Sequence, residues 1–236
     1  MGTKLTPKVI LEGTRLTHKT DLAFALNRHP RVVGARKYVY PSPLVSAEWC
    51  GFTDHPWGRG LVNYAPEEEA RAMEAYATWA RLFELLPYYS WIVDRFHLST
   101  RAEQRRLNGR DPDFRWLEER LRPLGFRVVL CTRRAETFAA AREERLRVSG
   151  RPDQYDDLAV FVREQGLLRE LAAGSFLPVL DLDVSDDDVA GAADRVAGWL
   201  AATGALSSPW GVERAAAAPP PDVAARAPDQ SRSSER

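Results

Sequence analysis

The stretch from Lys8 to Leu26 constrains the fold more than any other part of the chain. Lys8-Val9-Ile10-Leu11-Glu12 is an apolar run of strand type, and Asp21-Leu22-Ala23-Phe24-Ala25-Leu26 opens a helix. Gly13-Thr14-Arg15-Leu16-Thr17-His18-Lys19-Thr20 joins them. A strand that turns into a helix through such a loop gathers backbone N–H groups and the positive helix end around one point, where phosphate is held. The string keeps the first, seventh and eighth positions of G-x-x-x-x-G-K-[ST], with His18 where the second glycine belongs. Gly13, Thr14, Arg15, Leu16, Thr17, His18, Lys19 and Thr20 are therefore the candidate nucleotide-binding residues. In such a loop the lysine, here Lys19, reaches the β- and γ-phosphates and the hydroxyl, here Thr20, ligates Mg²⁺.

The rest of the sequence supplies what this unit needs to pack against. Apolar runs alternate with amphipathic stretches, the pattern of a parallel sheet flanked by helices. Five strands are expected, over Lys8 to Glu12, Arg31 to Val39, Ser90 to Asp94, Phe126 to Thr132 and Leu177 to Val184. Pro66 followed by Glu67, Glu68 and Glu69 marks a helix start. Its stripe of Met73, Tyr76, Ala77, Ala80, Phe83 and Leu86 reads as core packing, and Pro87 ends it. Further helices are expected over 114–121, over 136–148, and from Asp186-Asp187-Asp188 to Leu200. The acidic triplet reads as capping and dipole compensation rather than a metal site. Residues 40–64, with Tyr40, Trp49, Phe52, Trp57 and Tyr64 among four Pro or Gly turns, read equally as a binding loop or a structural plug. Residues 1–206 are expected to form one domain, and the Ala/Pro/Ser/Arg-rich stretch 207–236 a disordered tail.

Composition narrows the classes of function. Lys+Arg and Asp+Glu both number 33 in 236 residues, so no global field favours a polyanion or a membrane surface. Two distant cysteines, Cys50 and Cys131, without ligands at metal spacing point to a reducing compartment, with Cys131 a small core residue. No run approaches the roughly 18 apolar residues of a membrane span, and Met1 to Pro7 has no apolar signal core. A cytoplasmic protein without membrane contact is expected.

Three motifs in order resemble those of the thymidylate kinase and deoxynucleoside kinase group. The first is Ile10-Leu11-Glu12-Gly13 through Lys19-Thr20. The second is Trp91-Ile92-Val93-Asp94-Arg95-Phe96-His97-Leu98-Ser99, similar to the group's D-R-[YH] or E-R-S box. The third is Leu130-Cys131-Thr132-Arg133, then Glu136, Arg142, Arg145, Arg147 and Tyr155, similar to the group's strand, arginine-rich lid and tyrosine. The resemblance implies a P-loop kinase fold: a five-stranded parallel sheet flanked by helices, with an arginine-rich lid. It implies ATP and Mg²⁺ as cofactors, with Thr20 and Asp94 as metal ligands. Lys19, Asp94, Arg95, Arg142 and Arg145 stand as catalytic candidates.

The sequence departs from that pattern in three places. His18 brings a side chain to a position that glycine holds when φ is positive, and its ring could donate to a phosphate oxygen. Gly34-Ala35-Arg36-Lys37-Tyr38-Val39-Tyr40-Pro41, at the expected second strand, holds no carboxylate, which leaves Asp94, Glu48 or Asp54 as candidate general bases. The aromatic-rich loop matches neither subfamily and is expected to set the acceptor, with Tyr38, Trp49, Phe52 and Trp57 stacking on a base and Arg95 beside them. The leading expectation is an ATP-dependent kinase of a nucleoside, nucleotide or nucleobase-containing acceptor, with a homodimer open. The alternatives are a P-loop protein that binds nucleotide without transfer, and a kinase of a non-nucleoside small molecule. The arginines Arg101, Arg105, Arg106 and Arg110 keep a nucleic-acid-borne acceptor among the options.

Overall fold

In the computed structural model, residues 5–34, 42–53 and 58–206 are described. Five strands, β1 (Lys8–Glu12), β2 (Leu44–Ser46), β3 (Trp91–Asp94), β4 (Arg127–Thr132) and β5 (Val179–Asp183), form one sheet in the order β2-β3-β1-β4-β5. Every pairing is parallel. The helices are α1 (Lys19–Arg28), α2 (Pro30–Val33), α3 (Glu69–Leu85), α4 (His97–Asn108), α5 (Arg115–Leu121), α6 (Phe138–Leu146), α7 (Leu158–Ala173) and α8 (Val189–Ala202).

Alternation along the strands builds two cores. In β1, Val9 and Leu11 point to a cluster with Leu22, Leu26, Val196 and Leu200, while Ile10 points to one with Tyr76, Phe83, Phe96 and Leu168. Helices thus cover both faces, as a parallel sheet requires. β1 is central, so the loop that leaves it sits between the C-terminal ends of β3 and β4. The crevice outside those ends is where open α/β sheets take ligands.

One expected strand is corrected. Pro30 to Val33 is a short helix, Gly34 ends it, and the second strand is β2, whose first residue, Leu44, is thirteen residues downstream of the expected start at Arg31. Pro30 sits at the first helical position and the His29 ring nitrogen accepts from the Arg31 amide at 3.2 Å, a helix start that overrides the β-branched pair Val32-Val33. The remaining residues of that expected strand, 35–39, lie outside the described residues, as does the tail 207–236. The other four strands stand where expected, to within two residues. The helix after Pro66 begins as a 3-10 turn, runs to Leu85, and buries Ala72, Tyr76, Ala80 and Phe83.

Besides α2, two longer helices, α4 and α7, escaped the sequence analysis. α4 buries Ser99, Thr100 and Gln104 beside Leu98 and Ala102, so its inward face is half polar and shows no apolar stripe. Its start is held by Glu12, whose fully buried carboxylate accepts from the amides of Phe96 (3.1 Å), Leu98 (3.0 Å) and Ser99 (3.2 Å) and from the Ser99 hydroxyl. A carboxylate at a helix N-terminus satisfies the free amides and meets the dipole. The segment 58–64 plugs against α4: the Gln104 amide donates to the Tyr64 carbonyl at 3.0 Å, and Leu61, Val62 and Tyr64 are buried. That half of the aromatic-rich stretch is core. No helix among the described residues is long and apolar enough to cross a membrane.

Candidate phosphate-binding site

Gly13 starts the loop with φ at +145°, and a Cβ there would stand 2.5 Å from the Cys131 carbonyl oxygen, so only glycine lets the loop leave β1 beside β4. His18 holds φ at +51° and ψ at 22°, the left-handed conformation, and ends the loop at the N-terminus of α1. The position thus keeps the geometry that glycine favours. His18 is stabilised there by its ring: Nε2 meets Asp187 at 2.8 Å and Nδ1 meets Asp21 at 3.2 Å. Both ring nitrogens thus face carboxylates. The hydrogen bond to Asp21 raises the His18 pKa, burial opposes it, and Asp187 raises it further.

Four non-glycine residues among those described have positive φ: Leu16, His18, Arg95 and Asp187. All belong to this site, and backbone strain of this kind collects where function over-determines the conformation. Asp187 pairs with buried Arg133 as well as His18, and Arg133 donates through Nε to the Leu16 carbonyl at 2.9 Å. The turn after β5 therefore holds the loop from outside. Asp188, as expected of the acidic triplet, caps α8 by accepting from the Gly191 amide at 2.8 Å.

Inside the loop Lys19 is buried, and Nζ donates to the Thr14 carbonyl at 2.6 Å. Burial and then Arg95 lower its pKa, against Asp94 and Glu48. Thr20 donates to Asp94 Oδ2 at 2.7 Å, tying the loop to the end of β3. The other oxygen, Asp94 Oδ1, is buried without a hydrogen-bond partner, and so are Arg95 Nε and NH2 and Ser46 Oγ. Ser46 and Asp94 are register partners on β2 and β3, so their side chains leave the same face of the sheet. Buried polar atoms without partners are costly, and a bound ligand is a common reason for them.

Arg95 lies between two carboxylates, 3.5 Å from Glu48 and 3.5 Å from Glu164. Burial alone would lower its pKa; the two carboxylates reverse that and raise it. Glu48 also meets Arg15 at 2.9 Å. Its burial would raise the carboxyl pKa, but Arg95, Arg15 and Lys19 outweigh that and hold it low. This corrects the expectation that no carboxylate follows the second strand. With β2 at Leu44–Ser46, Glu48 stands two residues past its end.

The lid candidates separate. Arg145 donates to the Tyr155 hydroxyl at 3.1 Å, and its charge helps to lower the pKa of both Asp21 and Glu48, so it faces the loop. Arg142 instead ties the lid to itself through Asp156 at 3.6 Å, with Nε buried and unpartnered. The lid packs through Phe138, Tyr155 and Phe161, with Leu16 of the loop against them. Of the acceptor candidates, Trp49 follows Glu48 and is 77% exposed, while Phe52 packs on the core with the Arg71 guanidinium 4.5 Å above its ring. Tyr38 and Trp57 lie outside the described residues, as does Asp54.

Three residues at the candidate site were not expected there: Arg133, which stood only at the end of the third motif's strand, Asp187, which stood only in a capping triplet, and Glu164. Glu164 lies in the unforeseen α7, is buried, and accepts from the Thr14 hydroxyl at 2.5 Å. Cys131 is a core thiol as expected, pushed up to about 12 by burial.

The oxygens of Thr20 and Asp94 are the hard donors that Mg²⁺ prefers. Among the described residues no group of three or more His, Cys, Asp or Glu converges as a metal cage. Mg²⁺ commonly takes one or two protein oxygens and fills its shell with phosphate and water, so the residues fit that ion.

No sequence profile of a known family matches the chain, and neither does any curated protein. Solved structures do. YorR from Bacillus subtilis, determined in complex with phosphorylated GDP, superposes with a TM-score of 0.55 at 17% identity, over 81% of this chain and 94% of that one. Thymidylate kinase from Candida albicans aligns at a TM-score of 0.43 and 12% identity, over 86% and 94%. The chain shares its fold with the YorR structure: an α/β arrangement of five parallel strands flanked by helices.

Proposed function

We propose that this chain is a Mg²⁺- and ATP-dependent phosphotransferase acting on a hydroxyl or phosphate of a nucleoside, nucleotide or nucleobase-containing acceptor. The observation that carries the reading is the join at Thr20 and Asp94, 2.7 Å apart, with Asp94 Oδ1 buried without a hydrogen-bond partner and the buried Arg95 guanidinium, which makes ion pairs but no hydrogen bond through Nε and NH2, next to it in the chain. A phosphate loop alone binds; a loop joined to a carboxylate and an arginine aimed at a second position has the parts for transfer.

Phosphoryl transfer asks a protein to align donor and acceptor and to neutralise charge on the group in flight. Lys19 releases the Thr14 carbonyl and takes the β- and γ-phosphate oxygens. Thr20 and Asp94 would hold Mg²⁺, which when bound screens charge on the phosphates. Arg95 and Arg145 flank the transferring group from the box and the lid. Glu48, ionised at neutral pH because three cations surround it, takes the proton of an attacking hydroxyl. The lid over Leu16 excludes water that would otherwise compete as acceptor.

The arginines that kept a polymer acceptor open give it little support. Arg101, Arg105, Arg106 and Arg110 each pair with a carboxylate, at 2.8, 2.6, 2.5 and 2.5 Å, so their charge is spent locally. The test is ATP consumption across nucleosides, nucleoside monophosphates and oligonucleotides. Turnover with one of the first two classes is expected; ATP binding without turnover on any acceptor would replace this reading by a nucleotide-binding module.

A further inference from the structure

Glu164 is a buried carboxylate in the middle of a helix, and nothing in the reading above gives it a role. It lies on α7, the helix that follows the lid, and is 9% exposed. One oxygen accepts the Thr14 hydroxyl at 2.5 Å; the other stands 3.5 Å from Arg95 NH2, itself buried and without a hydrogen bond. A buried carboxylate is stable only where charge and hydrogen bonds satisfy it, and these two partners come from different halves of the site. Thr14 belongs to the donor loop and Arg95 to the box at the end of β3.

The rest of the surroundings narrow its role. Arg95 is fixed at its backbone: its amide donates to the Leu11 carbonyl at 2.9 Å, its carbonyl accepts from Ala47 at 3.2 Å, and its φ is +56°. Its side chain is the free variable, and only Glu48 and Glu164 stand against it as ion-pair partners among the described residues. Glu48 is also claimed by Arg15, so Glu164 is the carboxylate without a competing cation in an ion pair. On its outer side Glu164 borders a cleft of about 330 Å³ between α4 and α7, over Ala102, Val160 and Leu167.

We propose that Glu164 is a positioning residue that locks the donor loop and the Arg95 guanidinium into one frame, and that it couples nucleotide binding to α7. This rests on the phosphotransferase reading for its effect on turnover, but not for the coupling. Its two contacts separate by chemistry. Glu164→Gln keeps an oxygen for the Thr14 hydroxyl and loses the charge that aims Arg95; Thr14→Val removes the hydroxyl and keeps the charge.

The experiment measures ATP·Mg²⁺ affinity by calorimetry, kcat on the acceptor found in the screen, and amide exchange over residues 158–173 with and without nucleotide. Glu164→Gln should keep ATP affinity within about twofold and lower kcat about tenfold or more, with partial recovery in Glu164→Asp. In the wild type, nucleotide should slow exchange in α7, and Thr14→Val should abolish that slowing. Unchanged kcat in Glu164→Gln, or equal losses of affinity and kcat, would overturn the positioning role. If the wild type turns over no acceptor yet α7 exchange still follows nucleotide through Thr14, the kinase reading fails and the coupling stands. If nucleotide leaves α7 exchange unchanged, or does not bind, the coupling is wrong.

Discussion

Replacing His18 by glycine restores the residue usual at that position and removes a side chain that the structure holds with two carboxylates. Two effects oppose each other. The left-handed conformation costs an L-residue roughly 1–2 kcal/mol that glycine avoids, although glycine gives back about 0.5–1 kcal/mol in chain entropy. The contacts to Asp187 at 2.8 Å and Asp21 at 3.2 Å involve partners that are 41% and 66% exposed, so each contributes no more than about 0.2–1 kcal/mol. The net change should lie within about 1 kcal/mol, and its dependence on pH identifies the cause. The folded-state pKa of His18 is raised above the ordinary 6.5 by Asp21 and Asp187, against burial and the nearby charge of Arg133. A raised pKa means the stabilisation is complete below the unfolded value and disappears as pH climbs through the folded one. Urea denaturation of both proteins at about pH 6 and about pH 9 should therefore show glycine less favourable at the lower pH, by about 1 kcal/mol relative to the higher. Asp21 and Asp187, whose pKa values are lowered, stay ionised across that window. A stability difference that does not change with pH would refute the bridging role. Loss of ATP binding in the glycine variant would refute the loop assignment itself.

Other variants probe the remaining parts. Glu48→Gln should lower kcat on a hydroxyl acceptor by about 10²–10⁴ with ATP affinity little changed, since it removes a general base; steady-state kinetics beside calorimetry separates the two. Glu12→Ala strips four hydrogen bonds from the start of α4 and should cost about 1–3 kcal/mol or more in urea denaturation, through unsatisfied buried amides. Thr20→Val should weaken the Mg²⁺ dependence of ATP binding more than binding without metal, read by titration with and without Mg²⁺. Arg145→Ala should lower kcat more than Arg142→Ala, because only Arg145 bears on Asp21 and Glu48.

The parts of the fold that show in the sequence are those where local chemistry and burial agree. β1, β3, β4 and β5 are short apolar runs bounded by turns, and Pro66 with its three glutamates opens a helix by dipole and capping rules. The failures have particular causes. Val32-Val33 resembles a strand, but Pro30 and the His29 ring start a helix, and that displacement left Glu48, one of three candidate bases, without a place at a strand end until β2 was found just before it. α4 was concealed by Ser99, Thr100 and Gln104, which face inward to bind backbone and side-chain groups. In the candidate site, Lys19, Thr20, Asp94 and Arg95 were legible because their spacing along the chain is part of the chemistry. Glu164, Arg133 and Asp187 act from 150, 117 and 169 residues away from their loop partners, and no local pattern records such contacts.

The central claim is that the loop and the Asp94-Arg95 box act together as a phosphotransferase. The direct measurement is ADP release with ATP and Mg²⁺ over nucleosides and nucleoside monophosphates, for the wild-type chain and for Lys19→Ala. Acceptor-dependent ADP release that falls by about 10² or more in Lys19→Ala is the predicted result. Tight ATP binding with no acceptor-dependent release in the wild type would contradict it.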